Sequence, residues 1–313
     1  MTEQTVDFTE TIPESCHGLR LDQALATLLS DYSRSQLKSW IQQGFVKVND
    51  TVITQPRQKV SAGQVVVIHA LMRDQQNWSG QALPLNIVHE DNDIIIINKP
   101  ANCVVHPGAG NPDHTLVNAL LHHAPELQNV PRGGIVHRLD KDTTGLLVIA
   151  RNLKAHNHLV QAIQQREIKR EYQAIVYGEM ITGGTVDAAM GRHPKQRTKM
   201  CVRHDGKTAR THYRVIKKYS HFTHCHIILD TGRTHQIRVH MAHIHYPLVG
   251  DPVYASKNRI SKKWPEALQQ TLHHFNRQAL HAIQLSLPHP CSGEPLSFTA
   301  ELPDDMQHLL EQL

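Results

Sequence analysis

The sequence predicts an α+β protein with a small N-terminal domain and a larger domain built on a mixed, mostly antiparallel sheet flanked by helices and loops. The chain has 313 residues, about the length of two domains. Strand-like segments outnumber segments with helical spacing, and evenly spaced strand–helix–strand units are few. A polar stretch without periodicity at residues 71–84 is typical of a linker. We therefore expect one domain at residues 1–70 and a second at residues 85–313.

The composition excludes several classes of protein. Hydrophobic residues make up 40% of the chain and charged residues 19%, which is too apolar for a disordered protein. The apolar runs at 94–97 and 146–150 are far shorter than the ~20 residues that a membrane-spanning helix needs. The N-terminus lacks the basic and apolar blocks of a signal peptide, and the five cysteines are scattered. We expect a cytoplasmic protein with reduced thiols and no membrane partner.

Local signals predict two helices and a hairpin in the N-terminal domain. Leucines recur with helical spacing between residues 21 and 29. Ser33 begins a capping-box pattern for a second helix, and Gly44 is placed to end it. The pair at 49–50, Asn-Asp, predicts a hairpin turn. Residues 59–69 predict two more short strands around a glycine turn.

This N-terminal segment resembles the small RNA-binding domain first found in a small-subunit ribosomal protein, the S-four type. The resemblance covers GLRLDQALA at 18–26, YSRSQLKSWIQQGFVKVND at 32–50 and KVSAGQVVVI at 59–68. It implies that the domain binds RNA and that basic side chains such as Arg34 and Lys38 contact phosphates. The alternative is a generic cap of two helices and a hairpin.

Strands and capped helices alternate in the larger domain. Thr115 and Asn152 are N-cap residue types placed before segments of helical spacing, and a short helix is predicted after Pro303. Residues 133–151 predict a strand, a loop and a second strand. Further strand candidates lie at 86–90, 93–100, 170–178, 210–219, 224–230, 280–287 and 295–302.

The loop HRLDKDTTG at 137–145 is the most informative stretch of the chain. Two apolar, β-prone runs flank it, so it lies at the edge of a rigid sheet, where catalytic residues are often placed. It carries Asp140 and Asp142 with Arg138 and Lys141 beside them. Neighbouring cations favour an ionised carboxylate, which suits a nucleophile or a base. The alternative is a loop stabilised by ion pairs and Asx turns.

Two further stretches carry candidate residues. In DTGRTHQIRVHMAHIH at 230–245, Arg233 and Arg238 stand among several histidines, and the second half has helical spacing. A guanidinium there could pair with a catalytic carboxylate or bind a phosphate. Tyr172, near the start of REYQAIVY, could stack on a base or act as a general acid or base. An ordinary half-buried strand tyrosine would give the same pattern.

No cofactor motif was found. Although the chain has 25 histidines, it contains neither HExxH nor a histidine pair with a convincing third ligand, so we predict no metal. The glycines at 108–113 match neither GxGxxG nor GxxxxGK[ST], so we predict no nucleotide cofactor.

Positive charge is concentrated in residues 190–218, where Asp205 is the single acid. Such a stretch can neutralise a row of phosphates and release their counterions; a solvated strand face is the alternative. The basic residues are Arg192, Lys195, Arg197, Lys199, Arg203, Lys207, Arg210, Arg214, Lys217 and Lys218. We expect Arg192, Lys195, Arg197, Lys199 and, further on, Arg233 to bind RNA.

GGIVHRLDKDTTGLLVIAR, REYQAIVYG and TGRTHQIRVHMAH resemble, in this order, the three motifs of the large-subunit ribosomal RNA pseudouridine synthase family. IIIINKPANCVVHPGAGNPD and HYPLVGDPVY extend the match. The resemblance implies that Asp140 is the catalytic aspartate, Tyr172 its partner and Arg238 the arginine that forms an ion pair with Asp140. It also implies that Arg138 fills the space left by a flipped base.

The same resemblance implies that the protein isomerises specific uridines to pseudouridine without a cofactor. Its expected substrate is a stem-loop of large-subunit ribosomal RNA near the decoding region, within the large subunit or its precursor. Nothing resembling a heptad seam occurs, so we expect a monomer. The alternatives are a catalytically silent ribosome-assembly factor that binds RNA, a transfer-RNA pseudouridine synthase, and a metal-dependent hydrolase built on the histidines.

Overall fold

The structure, a computed structural model, describes residues 4–29, 32, 34–72, 78–108, 110–196, 198–255 and 260–313. The chain divides into two compact units, Met1–Asn77 and Trp78–Leu313. Within the described ranges, no helix combines the length and the apolar character needed to cross a membrane. All five cysteines are free thiols, as expected.

The first unit packs two helices against a four-stranded antiparallel sheet of order β1-β4-β2-β3. Leu25, Leu37 and Trp40 are fully buried in the core between them, which is why the helical spacing of the leucines is informative. The elements are β1 (Gln4–Thr11), α1 (Leu21–Leu28), α2 (Arg34–Gln42), β2 (Val46–Val48), β3 (Thr51–Val52) and β4 (Val65–Met72).

Both helices and the hairpin of this unit are confirmed. The turn residues Asn49 and Asp50 have φ values of 46° and 62°, the left-handed conformations of a two-residue hairpin turn. Ser33, the proposed cap of α2, lies outside the described residues. The expectation of two strands in 59–69 was wrong: only β4 forms, and Lys59 makes a single bridge with Arg20. The strand β1, which pairs along the whole of β4, was not predicted.

The second unit contains eleven strands and five helices among its described residues. The strands are β5 (Ile87–Glu90), β6 (Ile94–Lys99), β7 (Thr144–Ala150), β8 (Lys169–Tyr177), β9 (Gly184–Asp187), β10 (Met190–Arg192), β11 (Met200–Val202), β12 (Arg210–Tyr219), β13 (Phe222–Leu229), β14 (Leu280–Pro288) and β15 (Pro295–Thr299). The helices are α3 (Leu116–His123), α4 (Leu153–Gln165), α5 (Gln236–His243), α6 (Glu266–His274) and α7 (Asp304–Gln312).

A nine-stranded sheet of order β5-β6-β7-β14-β8-β13-β12-β9, with β15 also paired to β14, forms the frame of this unit. Its named strand pairs are antiparallel except β14 with β7, so the predicted mixed, mostly antiparallel α+β fold is confirmed. Both faces of its centre are covered. Ile95 and Ile97 belong to the core on one face, and Ile94 and Ile96 to the core on the other. This explains the uninterrupted run of four isoleucines.

The strand expected directly before the loop at 137–145 does not form. Ile135 makes one bridge to Ile149, and the preceding Pro131–Gly134 is a short 3-10 segment. Gly134 has φ +79°, and a Cβ added there would lie 2.1 Å from the carbonyl oxygen of Ala150. The left-handed backbone that permits this close approach is incompatible with a strand. The short strands β9, β10 and β11 and the helix α6 were also not predicted.

Candidate active site

A cleft of about 480 Å³ opens where the loop before β7 meets the N-terminal end of α5. The loop contributes Arg138, Asp140 and Thr143, and Tyr172 of β8 lines the same space. The segment 229–237, between β13 and the first turn of α5, closes the other side. The three sequence motifs therefore meet at one cleft.

Asp140 and Arg238 form an ion pair at this cleft. Nη1 of Arg238 donates to Oδ2 of Asp140 at 3.0 Å, although the two residues are 98 positions apart. The side chain of Asp140 is 16% exposed and that of Arg238 only 5%. A tight turn fixes the carboxylate, because the carbonyl of Asp140 accepts from the N–H of Thr143 at 3.0 Å. The carboxylate can thus meet a ligand in the cleft while the guanidinium supports it from behind.

Asp251 is the second partner of Arg238, and the sequence did not single it out. Nε and Nη2 of Arg238 donate to its two carboxylate oxygens at 2.7 and 2.9 Å. Burial raises the pKa of Asp251, but the bonds from Arg238 and from backbone N–H groups outweigh it and hold that pKa below the usual value. Burial lowers the pKa of Arg238, and its hydrogen bonds to Asp251 together with the nearby carboxylates raise it overall. Arg238 is therefore a fixed cation.

His235 and Tyr254 complete the surroundings of Asp140. Nε2 of His235 lies 3.9 Å from Oδ1 of Asp140, and its Nδ1 shares a hydrogen bond of 2.8 Å with the hydroxyl of Tyr254. The Arg238 guanidinium lies over the Tyr254 ring, 5.0 Å from its centroid. Burial lowers the pKa of His235 even though Asp140 opposes this. Asp251 and Tyr254 both lie in HYPLVGDPVY, so the extension of the family match was the signal that could have identified them.

Tyr172 projects into the cleft from the core face of β8. Its side chain is 5% exposed and packs with the main hydrophobic core of this unit. Burial raises the pKa of Tyr172; the positive charge of Arg170 opposes this and the negative charge of Asp140 adds to it, so the pKa is raised overall. The phenol therefore stays protonated at neutral pH, which favours a stacking surface over a general base.

Lys99, at the end of β6, anchors the loop that carries Asp140. It is fully buried, and its Nζ donates to the carbonyls of Lys141, Pro100 and Cys103 at 2.9, 2.8 and 3.0 Å. Burial lowers its pKa to about 8. The lysine ties two segments of backbone together next to Asp140 without lining the cleft.

The cleft is rich in arginine. Of the residues expected to bind RNA, Arg138 and Arg233 line it and are exposed. Arg132, Arg166 and Arg170 line it as well, and none of the three was predicted as a site residue. Arg170 is the first residue of the REYQA motif, so its position in the motif could have drawn attention to it. Arg132 and Arg166 have φ values of 59° and 64°, which no local pattern indicates.

The other expected RNA contacts are not among the residues that line the cleft. Arg34 and Lys38 are exposed on α2 in the first unit, but Nη2 of Arg34 pairs with Asp22 at 3.0 Å. Arg192 and Lys195 are exposed and Lys199 is half-buried, all on or beside the β10–β11 hairpin. Arg197 lies outside the described residues. Two members of the basic stretch, Arg203 and Arg210, pair with Asp205 and Asp187, so fewer unpaired cations are available to phosphates than the composition suggests.

Among the described residues, one group has the spacing of a metal site, and it lies outside the cleft. Ligand atoms of Asp91, Asp93 and His289 are within 4.8 Å of one another. However, Nδ1 of His289 accepts from the N–H groups of Cys291 and Ser292, which places the proton of a neutral ring on Nε2. Nε2 lies 3.3 Å from Oδ2 of Asp91, an oxygen that also has a hydrogen bond of 2.8 Å with Nε2 of His89, so these groups are held by contacts within the protein. The prediction of no metal stays a prediction.

Comparison with known families agrees with the two units. The family model described as RNA pseudouridylate synthase matches residues 93–243, and the S4 domain model matches residues 19–66. Curated relatives named "Ribosomal large subunit pseudouridine synthase D" are similar over nearly the whole chain. The relative from Escherichia coli (strain K12) is 53% identical over 308 residues, covering 98% of this chain and 94% of its own. The one from Vibrio cholerae is 52% identical, covering 96% and 93%.

Solved structures share the fold of the second unit. "Human RNA Pseudouridylate Synthase Domain Containing 4" superposes with a TM-score of 0.56 at 28% identity, covering 72% of this chain and 92% of its own. "Human RNA Pseudouridylate Synthase Domain Containing 1" gives 0.55 at 24% identity, covering 71% and 85%. The resemblance stated from the motifs is thus confirmed over the full length. With its S4 domain and its catalytic fold, the chain belongs to the RNA pseudouridylate synthase family.

Proposed function

We propose that this protein isomerises specific uridines of large-subunit ribosomal RNA to pseudouridine, with Asp140 as the catalytic carboxylate. The observation that carries the proposal is the pairing of Asp140 with the buried Arg238 inside an arginine-lined cleft. The names of the similar relatives support the choice of large-subunit RNA.

The reaction needs no redox partner, because it is a rearrangement of one nucleotide. The bond between N1 of uracil and C1′ of ribose breaks, a bond between C5 and C1′ forms, C5 loses a proton and N1 gains one. A carboxylate can attack C1′, assist elimination to a glycal, or add to the uracil ring. Each route requires an oriented, ionised carboxylate at the junction of sugar and base. Arg238 supplies the orientation through its bonds to Asp140 and Asp251.

The target base has to leave its stack before it can reach Asp140, at a cost of a few kcal/mol. Arg138 is exposed at the rim of the cleft, two residues from Asp140, and is free to enter the space left by the base. The protonated Tyr172 ring offers a stacking surface to the flipped uracil. Arg138 as the wedge and Tyr172 as the stacking partner are the roles that we propose for them.

Binding of the surrounding RNA relies on phosphate contacts and on the shape of the RNA. We assign the contacts to Arg233 in the cleft, to the basic β10–β11 hairpin and to the S4 domain with Arg34 and Lys38. The proposed substrate is a stem-loop near the decoding region, in the large subunit or its precursor. We propose a cytoplasmic monomer organised as a domain at residues 1–70, a linker at 71–84 and a catalytic domain at 85–313.

The test is to map pseudouridine in ribosomal RNA from cells that lack the protein, complemented with wild type, Asp140→Asn or Asp142→Asn. Asp142 is a matched control, because it belongs to the same loop but does not line the cleft. We expect wild type and Asp142→Asn to restore the same sites. Asp140→Asn should restore none, since loss of a catalytic nucleophile slows turnover by roughly 10⁴-fold or more.

Each alternative function has its own outcome in this experiment. Full restoration by Asp140→Asn would contradict the assignment of the catalytic carboxylate. Cells in which ribosomal RNA is unchanged but transfer RNA loses pseudouridine would point to a transfer-RNA synthase. If no site in any RNA changes, the chain is a catalytically silent RNA-binding factor.

A further inference from the structure

The described residues bury three arginines, and two of them have a carboxylate partner. Arg238 bonds Asp251 and Asp140, as described above. Arg277 bonds the two carboxylate oxygens of Asp305, each at 2.6 Å. Arg170 is the exception. Its residue exposure is 7%, its Nε is buried without a hydrogen-bond partner, and no described residue forms an ion pair with it.

The fold directs the Arg170 side chain into the cleft. In the first part of β8, buried residues alternate with more exposed ones, so Arg170 lies on the same face as Tyr172, two residues closer to the start of the strand. Both residues line the cleft together with Asp140. The guanidinium is therefore a buried, unpaired cation at the site where the proposed reaction takes place.

Neighbouring groups do not neutralise this cation. Glu171 bonds Nε2 of His226 at 2.7 Å, and Asp230 lies 3.1 Å from Nε2 of His212. His137 is neutral, because burial lowers its pKa to about 3 and the charge of Arg170 lowers it as well. Its Nε2 accepts a hydrogen bond from the N–H of Val148, so this nitrogen cannot serve as an acceptor for Arg170.

The opposite wall of the cleft leaves space for the guanidinium. A Cβ added to Gly232 would lie 2.7 Å from Nη1 of Arg170, so a glycine at this position lets the loop approach the arginine closely. The φ angle of Gly232 is not in the left-handed region, so its backbone does not require a glycine. The absence of a side chain at Gly232 therefore leaves room for the guanidinium of Arg170.

We propose that Arg170 binds a phosphodiester group of the RNA next to the flipped uridine, as a phosphate subsite inside the cleft. This inference rests on the proposed function. A buried charge without a partner is costly, and an anion that enters the cleft removes that cost. The planar guanidinium matches two oxygens of a phosphate, whereas the uracil ring is neutral. A phosphate of the bound RNA thus supplies the negatively charged partner that Arg170 lacks within the folded chain.

The first test measures the affinity for large-subunit ribosomal RNA transcribed in vitro, as a function of salt, in an Asp140→Asn background without turnover. Loss of one phosphate contact reduces the slope of log K against log salt by about 0.7–0.9. We expect this reduction, together with weaker binding, for Arg170→Met. Arg277→Met is the matched control: it removes a buried arginine that does not line the cleft and reaches the loop only through the backbone carbonyl of Asp142, so it should leave the slope unchanged.

The second test measures thermal unfolding without RNA. Arg170→Met should keep or raise the melting temperature, since it removes an unpaired buried charge. Arg277→Met should lower it, since Asp305 loses its partner. Inorganic phosphate should stabilise wild type more than Arg170→Met. Gly232→Ala crowds the guanidinium, so it should weaken RNA binding in wild type and add little in the Arg170→Met background.

Several results would overturn the inference. A melting temperature that falls as far for Arg170→Met as for Arg277→Met would make Arg170 a structural residue. Weaker binding with an unchanged salt slope would indicate a neutral contact to the base. Stabilisation by inorganic phosphate with no effect on RNA binding would assign the subsite to a free anion. If instead wild type forms no pseudouridine in the mapping experiment, the proposed function fails whatever the Arg170 variants do.

Discussion

Arg238 is held from two sides, and Asp251 is the partner that keeps it in place. The side chain of Asp251 is fully buried and does not line the cleft, so it acts on the substrate only through Arg238. Two of the guanidinium's bonds go to Asp251 and one to Asp140. The orientation of Asp140, the proposed catalytic carboxylate, therefore depends on an aspartate that lies outside the cleft.

We expect Asp251→Asn to lower kcat by about 10²-fold, the scale of a small misplacement of a catalytic group. KM should stay nearly constant, because the residue does not face the cleft. The unfolding free energy should fall by about 3 kcal/mol, since a buried ion pair loses one charge. Steady-state kinetics and urea unfolding provide the two measurements.

The control for this variant is Asp187→Asn, which removes an aspartate from the exposed pair with Arg210. Exposed pairs contribute little to stability, so the unfolding free energy and kcat should change little. An Asp251→Asn enzyme that loses stability but retains its kcat would show that Asp251 is purely structural.

At the scale of elements, the loop between Ile135 and β7 is held in place by side chains from other parts of the chain. Lys99 from the end of β6 bonds the carbonyl of Lys141, and Arg277 bonds the carbonyl of Asp142 at 3.3 Å. Both bonds reach backbone atoms, so they fix the path of the loop without restricting its side chains. A loop placed in this way at the start of β7 can present Asp140 with little freedom.

The lowered pKa of Lys99, about 8 in the folded protein against an ordinary 10.5, gives this anchor a pH signature. Between these values the unfolded chain holds a proton that the folded protein has released, so stability should rise as pH increases through this window. The full effect is about 3 kcal/mol. The Lys99→Met variant lacks this pH-dependent contribution to the unfolding free energy. The difference in unfolding free energy, wild type minus variant, should therefore grow between pH 8 and pH 10 in urea titrations. A constant difference would show that Lys99 stays protonated in the fold.

At the scale of the whole molecule, elements with a strong local pattern were predictable, whereas those defined by distant partners were not. Asn152 is a local signal for the start of α4, because its side chain accepts a hydrogen bond from the N–H of Ala155, three residues further along the chain. β1 depends on its pairing with β4, some sixty residues away, and has no comparable local signal. The strand predicted before the loop at 137–145 does not form because the backbone of Ala150 passes close to Gly134.

The site follows the same rule. Position in the motifs led to Asp140, Tyr172 and Arg238, but the ion pair between positions 140 and 238 was expected only from the family resemblance. That Arg170 is buried and unpaired depends on where Glu171 and Asp230 find their partners, which no local pattern specifies. Local sequence thus identifies the reactive groups, whereas the packing of the strands determines which of their charges have a partner.

The pH dependence of stability concerns the second unit as a whole, because several of the 25 histidines in the chain are buried there and neutral. Burial lowers the pKa of His137 to about 3 and that of His106, His224 and His281 to about 4. An unfolded chain binds a proton at each of these positions below the ordinary value of about 6.5. Stability should therefore be lost as pH falls from 6.5 toward 4, with roughly 2 kcal/mol lost per histidine by pH 5.

The four rings together predict a loss of about 8 kcal/mol between pH 7 and pH 5, comparable to the whole stability of a typical domain. Unfolding free energies from urea titrations at pH 7, 6 and 5 measure it. His281→Gln should reduce the loss by about one quarter, because one of the four protons is no longer taken up on unfolding. A free energy that stays constant down to pH 5 would mean that these rings are protonated within the fold. The neutral state of His137 beside Arg170, on which the phosphate subsite depends, would then be wrong as well.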